Sequence, residues 1–464
     1  MLPFCLLRRS LCILILPFLI ITALIITYTG LHYNILSPLG RAKETIPTVK
    51  PTPLHKPIST ATPIPVVDAF PLAASAKSPA DLPPIPSWNI PPNPHVNEST
   101  PLFIGFTRNW PLLQQAVVSY ITSGWPPEDI YVIENTGVMH SNRLNRLTLQ
   151  NPFFLDHHRL TNIFGVNVIS TPTLFTFAQL QNFYTFTALE NNWSHYWWAH
   201  MDTAVLGDEE WHGEPYKSLY MRAVDALRET LDPAWGSLAT RWFAYDKLAL
   251  VRTQAFVDIG GWDTMIPFYM TDCDMHERLW MRKFRIENAE AGRVWDVHTS
   301  LDNLEQLYKR GRDPPKAAVR EEGAAESLSK EPEVQRNSVV YQELVHSLNV
   351  LQDLKSNAEG GRNTWQARQR GGQGEPFYRD PEGFEKGIWM WMDFGRDVFT
   401  EKWGRGPCDL REAGLVEEDA WRLVKDWENP DVQKQFMLDR KKEAKEQAIK
   451  QEAEKDRAKG KPSI

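Results

Sequence analysis

The 464-residue chain has only four cysteines, Cys5, Cys12, Cys273 and Cys408. That count excludes a fold held together by many disulfides. Excess positive charge is also missing: 51 Lys and Arg stand against 58 Asp and Glu, so the chain is not a dedicated nucleic-acid binder. No internal repeat is present. Between Ser10 and Gly40 there is no Asp, Glu, Lys or Arg at all, and proline is scarce there while it crowds the next 60 residues. Aromatics, by contrast, are plentiful: 18 Trp, 21 Phe and 13 Tyr supply a large core or an aromatic-lined groove, and rule out a chain disordered throughout.

These shifts divide the chain. Leu11–Tyr28 is almost pure hydrocarbon and long enough to cross a bilayer as a helix. It lacks a small-residue cleavage site. Arg8 and Arg9 precede it and the next permanent positive charge is Arg41, so the expected orientation is a short cytosolic tail (1–10), a signal anchor (11–28) and a lumenal remainder. The expectation is a single-pass type II protein of the Golgi or ER membrane. Residues 29–100 read as a Pro-rich stem, since proline fixes φ and removes an amide donor. Asn97-Glu98-Ser99 and Asn192-Trp193-Ser194 are glycosylation sequons that a lumenal placement exposes. A head is expected over 101–300, a helical extension with an amphipathic helix near Val339–Leu354 over 301–429, and a charged tail over 430–464.

The head alternates strands and helices. Leu102–Phe106 reads as a buried strand, and Leu112, Leu113, Ala116, Val117, Tyr120 and Ile121 recur at helical spacing until Gly124 and Pro126. Asp129–Ile133, Val166–Ile169 and Tyr196–Ala199 read as further strands, with a helix carrying Phe177, Leu180, Tyr184 and Ala188 between the last two. The expected class is α/β with a mixed, mostly parallel sheet. Ligands of such sheets bind beyond the strands' carboxyl ends, where Thr107, Arg108, Glu134, Asn135, His200 and Asp202 fall.

Three local signals carry chemistry. Asp202 closes an aromatic strand, where a carboxylate needs a partner or a metal unless it caps a turn. Gly260-Gly261 permits a tight turn, and beyond it Thr271-Asp272-Cys273-Asp274 opens a helix; these residues also fit a capping box. His298 follows a short strand 24 positions after Asp274. An Asp/Asp/His set from separate segments is typical of a site at a sheet's edge, although a lone His is as often a satisfied core or surface residue.

The series FIGFTRNW, YVIENTG, HYWWAHMDTAVL, LALVRTQAFVDIGGWD, FYMTDCDMHERLWMRKFRI and VWDVH resembles the family 2 glycosyltransferases of GT-A fold, over about Pro101–Thr299. It looks most like the branch with an Asn-Asn-Asp strand-end motif. The resemblance implies a Rossmann-like nucleotide-diphospho-sugar transferase that moves a sugar from a nucleotide donor to a glycan, glycolipid or glycoprotein hydroxyl, with inversion. It further implies Thr107, Arg108, Glu134, Asn135, His200 and Asp202 at the donor, and a divalent cation, Mn²⁺ or Mg²⁺, on Asp202 and His298. Asp272 is the implied general base with Asp274 beside it, and Arg278, Gly260 and Gly261 are implied to support that segment. His200, Ala204 and Thr271 depart from the family's pattern. His200 and Ala204 motivate an alternative, a non-catalytic glycan-binding or scaffolding protein on a transferase-like fold.

Overall fold

The computed structural model describes residues 52–55, 64–211, 215–308, 336–357 and 371–428. The expected membrane span and the charged tail lie outside the described residues. Among the described residues no helix is long and apolar enough to cross a membrane.

The head is built on a seven-stranded sheet. Its strands are β1 (Leu102–Phe106), β2 (Ile130–Glu134), β3 (Asn167–Ser170), β4 (His195–Ala199), β6 (Leu238–Phe243), β7 (Leu248–Arg252) and β8 (Arg285–Asn288), in the order β3-β2-β1-β4-β7-β6-β8. The pairs β3–β2, β2–β1, β1–β4 and β6–β8 are parallel, and β7 runs antiparallel to both of its neighbours. A separate antiparallel pair joins β5 (Thr203–Leu206) to β9 (Arg293–Asp296). The α/β class and the mostly parallel sheet expected from the sequence are present.

Alternation on the strands explains why both faces are covered. Leu102, Ile104 and Phe106 enter one core with Val132, Trp197 and Leu250, while Phe103 enters the other with Ile133, Tyr196 and Val251. The first core is covered by α1 (Trp110–Thr122) and α3 (Leu219–Leu231), the second by α2 (Phe177–Glu190) and part of α5 (Thr271–Met281). Pro111 lies in the first turn of α1, where its missing N–H costs nothing. A capping box between Thr176 and Gln179 starts α2. A short helix, α4 (Thr253–Asp258), leads from β7 into the Gly260-Gly261 turn, whose two residues have φ of +81° and +73°.

The Pro-rich segment does not stand free as far as residue 100. Phe70 is fully buried against Phe164 and Tyr308, Arg159 Nη1 donates to Asp68 Oδ2 at 2.6 Å, and the buried Asn89 donates to the Thr122 carbonyl at 2.9 Å. Proline prevents this segment from forming a sheet but not from packing against the head, and non-proline residues supply the anchors. The helical extension contains α6 (Val339–Ser356) and α7 (Pro381–Trp403). Asp380 caps α7 by accepting the Gly383 N–H, and Gly404 ends it at φ +67°.

Candidate functional site

A cavity of about 890 Å³ opens at the carboxyl ends of β1 and β4. Gly105 and Thr107 line it from β1 and the turn that follows, Asn135 from the end of β2, and Ala199, His200 and Asp202 from β4 and its exit. The far walls come from distant segments: Tyr245 and Asp246 before β7, Asp272 on α5, Asp296 on β9, Lys355 on α6, and Phe384, Ile388, Trp391 and Met392 on α7. The helical extension walls the cavity through α6 and α7.

Asp272 lies in the first turn of α5. The residue capping that helix is Met270, with φ +71° and no side-chain cap, so the Thr271–Asp274 capping box does not form. Asp272 itself accepts the Cys273 N–H and faces the cavity. Burial and the neighbouring Asp246 carboxylate push its pKa above the ordinary carboxylate range. Ala244 and Tyr245, which lead into Asp246, are both left-handed non-glycine residues. Such strain persists only where the surrounding structure over-determines it, and it clusters at functional sites.

Asp274 is placed elsewhere. It is fully buried, does not line the cavity, and accepts from Arg278 Nε at 2.8 Å, Lys402 Nζ at 2.7 Å and Trp403 Nε1 at 2.9 Å. Arg278 also donates to the Ile259 and Gly261 carbonyls, each at 2.8 Å. It thereby ties the Gly260-Gly261 turn to α5. A Cβ on Gly261 would lie 2.7 Å from Asn182 Oδ1, which accepts the Trp262 N–H at 2.8 Å. Cys273 and Cys408 form a disulfide that binds the segment after α7 to the residue next to Asp272.

On the other side of the site, Glu134 is buried and does not line the cavity. It accepts from Asn142 Nδ2 at 2.7 Å and Ser170 Oγ at 2.7 Å, and pairs with His157 Nε2 at 2.9 Å. Burial alone would raise its pKa; these partners outweigh it and hold the carboxyl low. Asn135 lines the cavity and clamps the following loop through the Phe175 N–H and carbonyl, at 2.7 and 2.9 Å. Arg108 is buried outside the cavity lining, with its guanidinium over the Phe384 ring at 4.9 Å and the Phe153 ring at 5.8 Å. Burial lowers its pKa to about 10.

His200 lines the cavity, with Nε2 3.6 Å from Asp246 Oδ2. Burial opposes its charge, but Asp246 outweighs burial, with help from Asp202 and Asp296, and the ring's pKa is pushed up to about 8. Asp202 meets Lys355 Nζ at 2.5 Å, and the same ammonium meets Asp296 Oδ1 at 2.5 Å. The lysine outweighs burial and holds Asp202 low, whereas burial and Asp202 together push Asp296 up.

The resemblance implied a divalent cation on Asp202 and His298, and the residues as arranged do not fit one. The carboxylate of Asp202 is engaged by an ammonium. His298 does not line the cavity, and its Nδ1 lies 3.1 Å from the Leu351 carbonyl. Among the described residues no three His, Cys, Asp or Glu side chains cluster as metal ligands do.

The sequence reading missed Lys355, Asp296 and Asp246. Asp296 lies two positions before His298 in the segment VWDVH. A signal for Lys355 was present as well. Tyr341, Leu344, Val345 and Leu348 form the buried stripe of α6, and Lys355 continues it seven residues after Leu348. A lysine on an apolar stripe calls for a buried anionic partner.

No protein-family model and no curated protein matches the chain. Solved structures similar to it include a cytidylyltransferase from Leptospira borgpetersenii serovar Hardjo-bovis, with 10% identity, 42% of this chain and 76% of that one covered, and a TM-score of 0.29. The mannosyltransferase PcManGT from Pyrobaculum calidifontis, in complex with GDP-Man and Mn²⁺, is 12% identical over 44% of this chain and 58% of its own, at a TM-score of 0.27. The catalytic domain of Drosophila beta1,4galactosyltransferase 7, in complex with xylobiose, is 12% identical over 41% and 64%, at 0.23. The chain thus spans less than two thirds of the length of either sugar transferase. No residue's role rests on these likenesses.

Proposed function

We propose that the chain is a glycosyltransferase that moves a sugar from a nucleoside-diphosphate donor to an acceptor hydroxyl of a glycan, glycolipid or glycoprotein. The observation that carries this reading is Asp272, a carboxylate with a raised pKa, in a cavity at the carboxyl ends of a mostly parallel sheet. A sugar hydroxyl is a poor nucleophile at neutral pH. Asp272 takes its proton as the oxygen attacks the anomeric carbon, while the bond from that carbon to the diphosphate oxygen breaks and the diphosphate leaves. A base facing the carbon opposite the leaving group inverts the anomeric configuration. Phe268 and Trp391, stacked with centroids 5.6 Å apart at the cavity wall, offer flat apolar faces to a sugar ring. Thr107, Asn135 and His200 are assigned to the donor side.

The same reading places the head in the lumen of the Golgi or ER, on a type II anchor at Leu11–Tyr28. The Cys273–Cys408 disulfide supports an oxidising compartment, and Asn97 and Asn192 are both exposed, as glycosylation requires. Protease protection in sealed microsomes tests the topology, and digestion of the head without detergent would refute it. The activity is tested by presenting a panel of nucleotide sugars and glycan acceptors to the purified protein. Transfer that vanishes in Asp272→Asn supports the reading. Binding without turnover of any donor favours the non-catalytic alternative.

A further inference from the structure

Asp202 and Asp296 are brought together by backbone alone. Thr203 pairs with Asp296 across β5–β9, and the Val297 N–H donates to the Asp202 carbonyl at 2.9 Å. Two carboxylates fixed at the end of a buried ribbon are an arrangement that hard cations take up through oxygen. The cation here belongs to the chain. Lys355 Nζ lies between them, with the residue 3% exposed.

This lysine is delivered, not stray. Its helix α6 is pinned along β9 and its neighbours. Tyr341 Oη donates to the Gly207 carbonyl at 3.0 Å, Trp295 Nε1 to Asn349 Oδ1 at 2.7 Å, and the Asp296 N–H to Gln352 Oε1 at 3.2 Å. Burial disfavours the ammonium, and the two carboxylates more than compensate. A divalent ion would have to expel it, leaving a buried lysine without partners, which is costly. An ammonium carries three N–H groups. Asp202 and Asp296 take two, and Lys355 also lines the cavity.

We propose, resting on the transferase reading, that the Lys355 ammonium stands in the place of a divalent cation and meets the donor's diphosphate, so that donor binding needs no metal. The lysine acts as a fixed point charge toward phosphate oxygens. Asp202 and Asp296 hold it in position instead of holding a metal.

The test is calorimetric titration of the full-length protein with UDP, GDP and inorganic pyrophosphate, in EDTA and again with Mn²⁺. The expected result is that a nucleoside diphosphate binds in EDTA within about threefold of its Kd in Mn²⁺. Lys355→Met should weaken binding in EDTA by at least about tenfold. Mn²⁺ should then restore it, because the freed carboxylates accept the ion, and Lys355→Arg should retain metal-free binding. Electron paramagnetic resonance of Mn²⁺ should show ion bound to Lys355→Met and not to the wild type. Wild-type binding that appears only with Mn²⁺ overturns the inference and leaves the transferase reading standing. If no nucleoside diphosphate binds under either condition, both fall. Should Lys355→Met fail to fold, the wild-type comparison and Lys355→Arg still decide.

Discussion

Asp272 and Asp274 lie two positions apart on α5 and meet opposite surroundings. Asp272 faces the cavity with its pKa raised, while Asp274 is sealed beneath Arg278, Lys402 and Trp403. Successive helical positions differ by about 100°, so two steps carry a side chain from one face to the other. The helix thus uses one acid for the cavity and one for the frame.

Neutralising each acid should therefore do different things. Asp272→Asn should slow single-turnover transfer by about 10²–10⁴-fold. Its stability at neutral pH should not fall, because a carboxyl with a raised folded pKa disfavours the folded state once ionised. Asp274→Asn leaves Lys402 and Arg278 without their shared anion and should cost about 3–5 kcal/mol. Urea unfolding beside the transfer assay separates the two. Wild-type transfer by Asp272→Asn would remove it as the base.

The pH profile should carry the same base. Asp272 serves only when deprotonated, so the acidic limb of kcat/KM should lie above the ordinary aspartate value of 3.8. An acidic limb that is unaltered in Asp272→Glu would point to another group.

His200 predicts a stability change in a separate window. Its folded pKa of about 8 lies above the ordinary 6.5, so its contribution is complete below pH 6.5 and lost as pH rises through 8. The urea midpoint of the wild type should drop across that interval more than that of His200→Gln. Equal slopes would mean that Asp246 does not hold the ring charged.

The disulfide closes a loop across 135 positions and joins the segment after α7 to α5, beside the buried Phe399 and Trp403. Cys273→Ser with Cys408→Ser should lose about 2–5 kcal/mol in urea unfolding. Dithiothreitol should lower the wild type similarly and leave the double variant unchanged. A variant as stable as the oxidised wild type would contradict this.

Gly105 lines the cavity where α2 comes close to β1. A Cβ there would run into Tyr184 Oη and lie 2.7 Å from Leu180 Cδ2. Gly105→Ala should cost about 1–3 kcal/mol through overpacking against α2, read as a lowered Tm. An unchanged Tm would mean that α2 can withdraw from β1.

The sequence by itself determined β1 to β4 with α1 and α2 between them, and the start of α5, because their signals are local; it did not mark α3, β5 or β6. Apolar runs such as Leu102–Phe106, the helical stripe from Leu112 to Ile121, and the Gly-Gly turn before α5 depend on neighbours within one or two turns. It also brought Asp202 and Asp272 to notice, since each closes or opens an element beside a recognisable motif. Tertiary structure alone decided which acids share a space. The bond from Lys355 to Asp202 spans 153 positions, and that from Lys402 to Asp274 spans 128. Contacts so distant leave no periodicity in the sequence, and the charge of a carboxylate gives no hint of which cation reaches it. Whether Asp202 takes a metal or a lysine depends on where α6 docks, and that is settled by the burial of Tyr341, Leu344 and Leu348 far from the acid itself.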